Sequence, residues 1–219
     1  MRVRPSASLG GTAMLIDVSM PLVAGSVFRH GTPPVEIVTR RFHHECEGDF
    51  ETVMLSMPAH SGTHVDLVFA ERHIAPERMI GPGKLIDVTG APGDPVALRD
   101  VEGRVRIRRG DFVFFRTDWS QFAGTDKYWH HPQLSLEVVR WLASTKANAI
   151  GIDALGLGRN GRHGEYDRLL AREDVLVIEN LVNLHALPDS GFTVYCLPLS
   201  VPAVDAIPAR VLVEIGGQA

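Results

Sequence analysis

Nine short apolar runs, each cut off by glycine, proline or a polar turn, commit this chain to a sheet before anything else is considered. They fall at 14–18, 36–42, 51–57, 84–88, 112–116, 149–152, 175–178, 192–197 and 210–215. Val, Ile and Phe dominate them, and such side chains fit a pleated, half-buried surface. The 21 glycines and 14 prolines of the chain supply the turns between. Helical spacing is scarcer. Over 135–147, Leu136, Val139, Trp141 and Leu142 recur at helical intervals behind Ser135 and Glu137. A second helix is predicted over 164–172, with Leu169 and Leu170 as its apolar side. Strand, helix, strand, helix, strand in that order from 112 to 178 predicts crossover connections and parallel pairing. The expectation is one α/β domain over 14–219, preceded by a frayed segment at 1–13.

Composition narrows the class of function. At 219 residues and 45% hydrophobic content the chain can bury a sizeable core. A net charge of −4 lacks the basic footprint of a nucleic-acid binder. The cluster Arg104 to Arg109 alternates with Val105 and Ile107 and reads as a solvated strand face. No run approaches a membrane span, and the N-terminus has no apolar stretch of secretory length. With two cysteines, Cys46 and Cys196, no disulfide scaffold is expected, so the protein is placed in the cytoplasm. Ten histidines against two cysteines steer any metal site toward imidazole and carboxylate ligands.

The sharpest constellation is His60-Ser-Gly-Thr-His64-Val-Asp66. His64 and Asp66 share a face on extended backbone, and Gly62 gives the bend that brings His60 to them. Three such ligands leave coordination positions open, as a catalytic metal requires. Glu179 directly follows the apolar run 175–178, where a carboxylate is costly unless paired or metal-bound. Asn180 and Asn183 could orient it. Asp167 reads either as a further ligand or as a solvated helix position beside Arg168. Trp119, Tyr128 and Trp129 could wall a pocket for a flat substrate or pack in the core. The neighbours His43-His44 and His130-His131 point opposite ways on extended backbone and make poor joint ligands.

His-Ser-Gly-Thr-His-Val-Asp resembles the His-x-Gly-Thr-His-x-Asp signature of the metal-dependent cyclase family, which includes bacterial kynurenine formamidases and isatin hydrolases. The likeness extends through Ile16-Asp-Val-Ser-Met-Pro-Leu22, Gly110-Asp-Phe-Val-Phe-Phe-Arg-Thr-Asp-Trp119 and Ile178-Glu-Asn-Leu-Val-Asn-Leu184. It implies a mixed, barrel-like β-sheet flanked by helices, the cyclase-like swivelling β/β/α fold, in a homodimer or homotetramer. It implies His60, His64 and Asp66 as ligands of a divalent metal, zinc or manganese, with Asp66 bridging to a second ion held by Glu179 and a helix residue. The implied activity is hydrolysis of a formamide, amide or lactam C–N bond in a small-molecule substrate. A biosynthetic cyclase or dehydratase, or a metal-binding scaffold without turnover, are the competing readings. Phe28 and His30 fall where the family contacts substrate. Two positions depart from the pattern. The family's shuttle histidine falls on Ala70, leaving His73 as the proton-transfer candidate. Its helix histidine falls on Asp167, with His163 one turn earlier as a competitor.

Overall fold

The computed structural model describes residues 13–69 and 74–216. All nine predicted runs are strands, and a tenth lies inside the histidine motif. In chain order they are β1 (Met14–Asp17), β2 (Glu36–His44), β3 (Gly48–Ser56), β4 (His64–Asp66), β5 (Ile80–Asp87), β6 (Phe112–Arg116), β7 (Ala149–Ile152), β8 (Leu176–Glu179), β9 (Ser190–Pro198) and β10 (Ala206–Ile215). The two helices are α1 (Leu136–Thr145) and α2 (His163–Arg172). Apart from Ala13, the predicted frayed segment 1–13 lies outside the described residues, as does His73.

Seven strands close into a ring in the order β10-β4-β8-β7-β6-β5-β9, with β9 pairing back onto β10. Strands β5, β6, β7 and β8 run parallel, and the other pairings are antiparallel. The crossovers β6-α1-β7 and β7-α2-β8 put both helices on the outside of this parallel portion. Strand β1 pairs with the far end of β10, on the side that β4 occupies at the near end.

Alternation along the strands divides the core in two. Phe112 and Phe114 of β6, Ala149 of β7, and Leu176 and Ile178 of β8 fill the ring with Val65, Val194 and Val211. Their neighbours Val113, Phe115, Ile150, Ile152 and Val177 face outward onto Val138, Val139, Leu142 and Leu170 of the helices. Burial on both faces is why these runs are continuously apolar rather than alternating. Helix α1 starts where Ser135 Oγ accepts from Val138 N at 3.3 Å, and it stops at Lys146 in the left-handed region.

Two features depart from the sequence-based picture. Residues 104–109 are loop, not strand: Val105 and Ile107 are half-buried against the helix-side core, so the alternation reflects a loop lying on that core. Strands β2 and β3 form a separate two-stranded sheet. Along it Ile37, Val38, Phe42, Phe50, Val53, Met54 and Leu55 are 41–59% exposed. No described helix is long and apolar enough to cross a membrane.

Candidate metal centre

Pairing, more than propensity, makes β4 a strand. His64 lies opposite Glu179 on one side and Pro208 on the other, and Asp66 lies opposite Val177 and Ala206. With Val65 committed to the ring interior, the two-residue period turns His64 and Asp66 outward. The same parity on β8 turns Glu179 out beside Val177, toward α2. His163 and Asp167 stand one turn apart at the start of α2 and face the same place. The centre thus lies between the outer wall of the ring and the first turns of the second crossover helix.

The approach to β4 is fixed by a glycine. Gly62 has φ +61°, and a Cβ there would come 2.8 Å from Leu22 Cδ2, so the bend tolerates no side chain. Thr63 locks the next residue, accepting from Met20 N at 2.7 Å and donating to Asn180 O at 2.6 Å.

Three ligand-type atoms converge at the mouth. His60 Nδ1 lies 3.2 Å from His64 Nε2 and 3.1 Å from Asp66 Oδ1, and His64 Nε2 lies 3.5 Å from the same oxygen. Ligands on a tetrahedral ion with bonds of about 2.1 Å stand about 3.4 Å apart, which matches this spacing. The outward ring nitrogens are both engaged. His60 Nε2 contacts Asp205 Oδ2 at 3.2 Å, and His64 Nδ1 contacts the Gly62 carbonyl at 2.9 Å. A carbonyl can only accept, so His64 Nδ1 carries a proton and Nε2 faces inward as the atom that can ligate once its own proton leaves, the orientation that metal-ligating histidines need.

A second group lies behind the first and shares Asp66 with it. His163 Nε2 is 3.4 Å from Asp167 Oδ2, and His163 Nδ1 is 3.6 Å from Glu179 Oε1. One ligand atom from each of Asp66, His163, Asp167 and Glu179 falls within 4.8 Å of every other. The imidazole of His163 fits because of Gly156, whose φ is +143° and whose added Cβ would stand 2.4 Å from His163 Nδ1 and 2.8 Å from Glu179 Oε1. Both helix candidates therefore reach the centre, His163 and Asp167 standing there side by side.

Electrostatics shows how strained this arrangement is when protons are its only cations. Burial and then the charge of Asp66 raise the Glu179 carboxyl. Burial, followed by the charges of Asp66 and Glu179, pushes Asp167 up to about 9. Burial opposes charge on His64, yet the Asp66 and Glu179 carboxylates outweigh it and push the imidazole up to about 10. Burial works against the Asp66 anion too, but its contacts with His60 and His64 hold it well below the usual carboxylate range. Among the described residues, both oxygens of Asp66, Oδ1 of Asp167 and Oε1 of Glu179 are buried without an aligned hydrogen-bond donor. Orphaned carboxylate oxygens beside inward-facing imidazole nitrogens fit a bound divalent cation that would take the place of the protons.

The centre opens into a cavity of about 700 Å³. Phe28, His30 and Trp129 line it, His30 packing on Trp129 with ring centroids 3.8 Å apart and planes tilted by 30°, and Arg29, Arg159 and Arg168 also reach it. Trp119 does not belong to the lining. Its indole nitrogen donates to Tyr128 O at 3.2 Å and its ring packs on Phe122, which makes it a buttress of the segment that presents Trp129. Tyr128 is likewise internal, donating to Asn180 Oδ1 at 2.7 Å. Asn180 in turn donates to Gly62 O at 2.9 Å, and Asn183 donates to Asp17 O. The two asparagines therefore hold the histidine loop and β1, not the Glu179 carboxylate. Asp205 and Gly156 carry no motif in the sequence; Asp205 arrives only because β10 pairs with β4.

The family described as Putative cyclase matches residues 16–159. A kynurenine formamidase of Maricaulis maris is 28% identical over 73% of this chain and 78% of its own length. An isatin hydrolase of Roseibium aggregatum is 26% identical over 84% of this chain and 82% of its own. Among solved structures, a potential metal-dependent hydrolase with cyclase activity superposes with a TM-score of 0.76 at 26% identity, covering 93% of this chain and 99% of the other.

Proposed function

Because the chain belongs to the cyclase family, we propose that it is a metal-dependent hydrolase that opens the C–N bond of a small formamide, amide or lactam. The observation that carries this reading is the convergence of His60 Nδ1, His64 Nε2 and Asp66 Oδ1 beside orphaned buried carboxylate oxygens, at the foot of a substrate-sized cavity. A kynurenine formamidase and an isatin hydrolase among its relatives support the bond type.

His60, His64 and Asp66 would hold one zinc or manganese ion, and His163, Asp167 and Glu179 a second with Asp66 between. When bound, the metal supplies Lewis acidity toward a carbonyl oxygen and makes water acidic enough to ionise near neutrality. The chain's own residues do the rest. Asp205 and the Gly62 carbonyl hold the outer nitrogens of the two histidines, so the inner lone pairs stay aimed. The His30–Trp129 pair and Phe28 give a planar substrate an aromatic wall and displace water from the reacting bond. His73, the sequence-based candidate for proton transfer, lies outside the described residues.

The same reading includes association of the chain with itself. An isolated two-stranded sheet is marginal in water, and the β2–β3 hairpin carries exposed large apolar side chains on both faces. A second copy covering it would give a homodimer, or a homotetramer by repetition.

The test is metal analysis of the purified protein, followed by assay of small formamides, lactams and lactones with manganese or zinc. Hydrolysis by the loaded protein and its loss in His64→Ala are expected. A metal-free preparation that turns over undiminished, or an unchanged rate in His64→Ala, refutes the reading.

A further inference from the structure

We propose that the two halves of the centre take different ions: a zinc-class ion on His60, His64 and Asp66, and a harder, manganese- or magnesium-class ion on Asp66, His163, Asp167 and Glu179. This rests on the metal-hydrolase reading above and adds to it a division of labour written into the ligands.

The donor sets differ in kind. The outer half offers two imidazoles and one carboxylate, while the inner half offers one imidazole and three carboxylates. Zinc is a borderline-soft cation well served by imidazole, whereas carboxylate-rich sets suit manganese and magnesium. Asp66 belongs to both halves, so what distinguishes them is His60 and His64 on one side against Asp167 and Glu179 on the other.

Spacing agrees. The three outer atoms stand 3.1–3.5 Å apart, the separation of neighbours on a tetrahedral ion. In the inner half His163 Nε2 lies 3.4 Å from Asp167 Oδ2, and its other ring nitrogen, Nδ1, lies 3.6 Å from Glu179 Oε1. The inner half places four ligand residues around one point against three in the outer half, which suits the higher coordination number of a hard ion.

Burial makes the demand for charge strongest at the inner half. Asp66, Asp167 and Glu179 are 6%, 5% and 3% exposed, and each keeps at least one buried oxygen with no aligned donor among the described residues. Three carboxylates facing one another in so little water need a cation close by. The imidazole that joins them, His163, enters only because Gly156 has no side chain. Asp167 gives the inner half a charged oxygen ligand where the outer half has imidazoles, and so tips it toward the hard ion.

The experiment strips the full-length protein with a chelator and then supplies one equivalent of zinc with manganese in millimolar excess. Limiting zinc matters, because zinc outcompetes manganese at almost any site when both are plentiful. The readouts are anomalous difference maps at the zinc and manganese edges and the manganese electron paramagnetic resonance spectrum. Zinc density between His60 and His64, with manganese between Asp167 and Glu179, is expected. Zinc in the inner half, manganese in the outer half, or an even mixture in both overturns the proposal while leaving the hydrolase reading intact. No ion in either half overturns both. In Asp167→His, a second equivalent of zinc should displace manganese at free zinc concentrations at least about tenfold lower than in the unaltered protein. Asp167→Asn, which keeps the shape and removes the charge, should weaken manganese binding about 10- to 100-fold and leave the first zinc in place. An unchanged zinc-to-manganese preference in both variants also overturns it.

Discussion

Replacing Asp167 by asparagine should stabilise the metal-free protein and destabilise the metal-loaded one. In the folded chain the Asp167 carboxyl is pushed up to about 9 by burial and by the charges of Asp66 and Glu179, from an ordinary value of 3.8. Folding without metal at about pH 7.5 therefore requires the carboxylate to take up a proton against its normal ionisation. At about 1.4 kcal/mol per pH unit, that costs roughly 5 kcal/mol. Asparagine avoids this cost but buries an incompletely bonded amide, which costs roughly 1–3 kcal/mol. The balance favours the variant by about 3 kcal/mol, a rise of roughly 6–12 °C in melting temperature for a chain of this size. The sign follows from linkage. A folded value above the unfolded one means that the folded state binds more protons across the window from about 4 to about 9, so stability is lost as pH rises through it. The variant should therefore melt lower than the unaltered protein below about pH 5, cross it at about pH 5–6, and melt higher above that. With saturating manganese the order reverses, because the variant has lost a ligand. Differential scanning calorimetry in chelator and in manganese, from about pH 4 to about pH 9, reads all of this. A metal-free Asp167→Asn that melts below the unaltered chain at pH 8, or a difference independent of pH, would refute the reasoning.

Two further outcomes are expected. Asn180→Ala removes the donor to Gly62 O and the acceptor for Tyr128; it should cost about 1–3 kcal/mol in urea unfolding and weaken the first zinc about 10- to 100-fold by chelator competition. Val53→Glu changes a side chain 59% exposed in the single chain, so monomer stability should move by no more than about 0.5 kcal/mol, while sedimentation velocity should show the proposed self-association weakened at least about tenfold.

Strands β6, β7 and β8 were legible because their runs are apolar on both faces, and Phe112, Val113, Phe114 and Phe115 read as core whichever way they point. Strand β4 was not legible as a strand: two of its three residues are polar, and only its pairing with β8 and β10 gives it extended form. Its parity was legible, and that sufficed to put His64 and Asp66 on one face. Glu179 could be picked out because a carboxylate closing a buried run needs an explanation. His163 was obscured by the glycines around it, which suggest loop, although it opens α2. Trp119 misled because an indole reads alike as pocket wall or as buttress until its neighbours are known. Closure of the ring through β9 and β10 joins elements with no local signal of partnership.

The shortest strand of the ring carries the ligands. Strand β4 is held by three residue pairs on either side, and its neighbour across the centre belongs to chain 117 residues further on, as the bond from Thr63 to Asn180 shows. An ion gripping His64 and Asp66 on one strand, Glu179 on the next and His163 and Asp167 on the helix would act as a clasp across that seam. Opening the ring there would mean surrendering the ion, so the loaded protein should unfold and lose its metal in a single slow event. The bare protein should come apart first at β4, with the helices still packed on the strands behind.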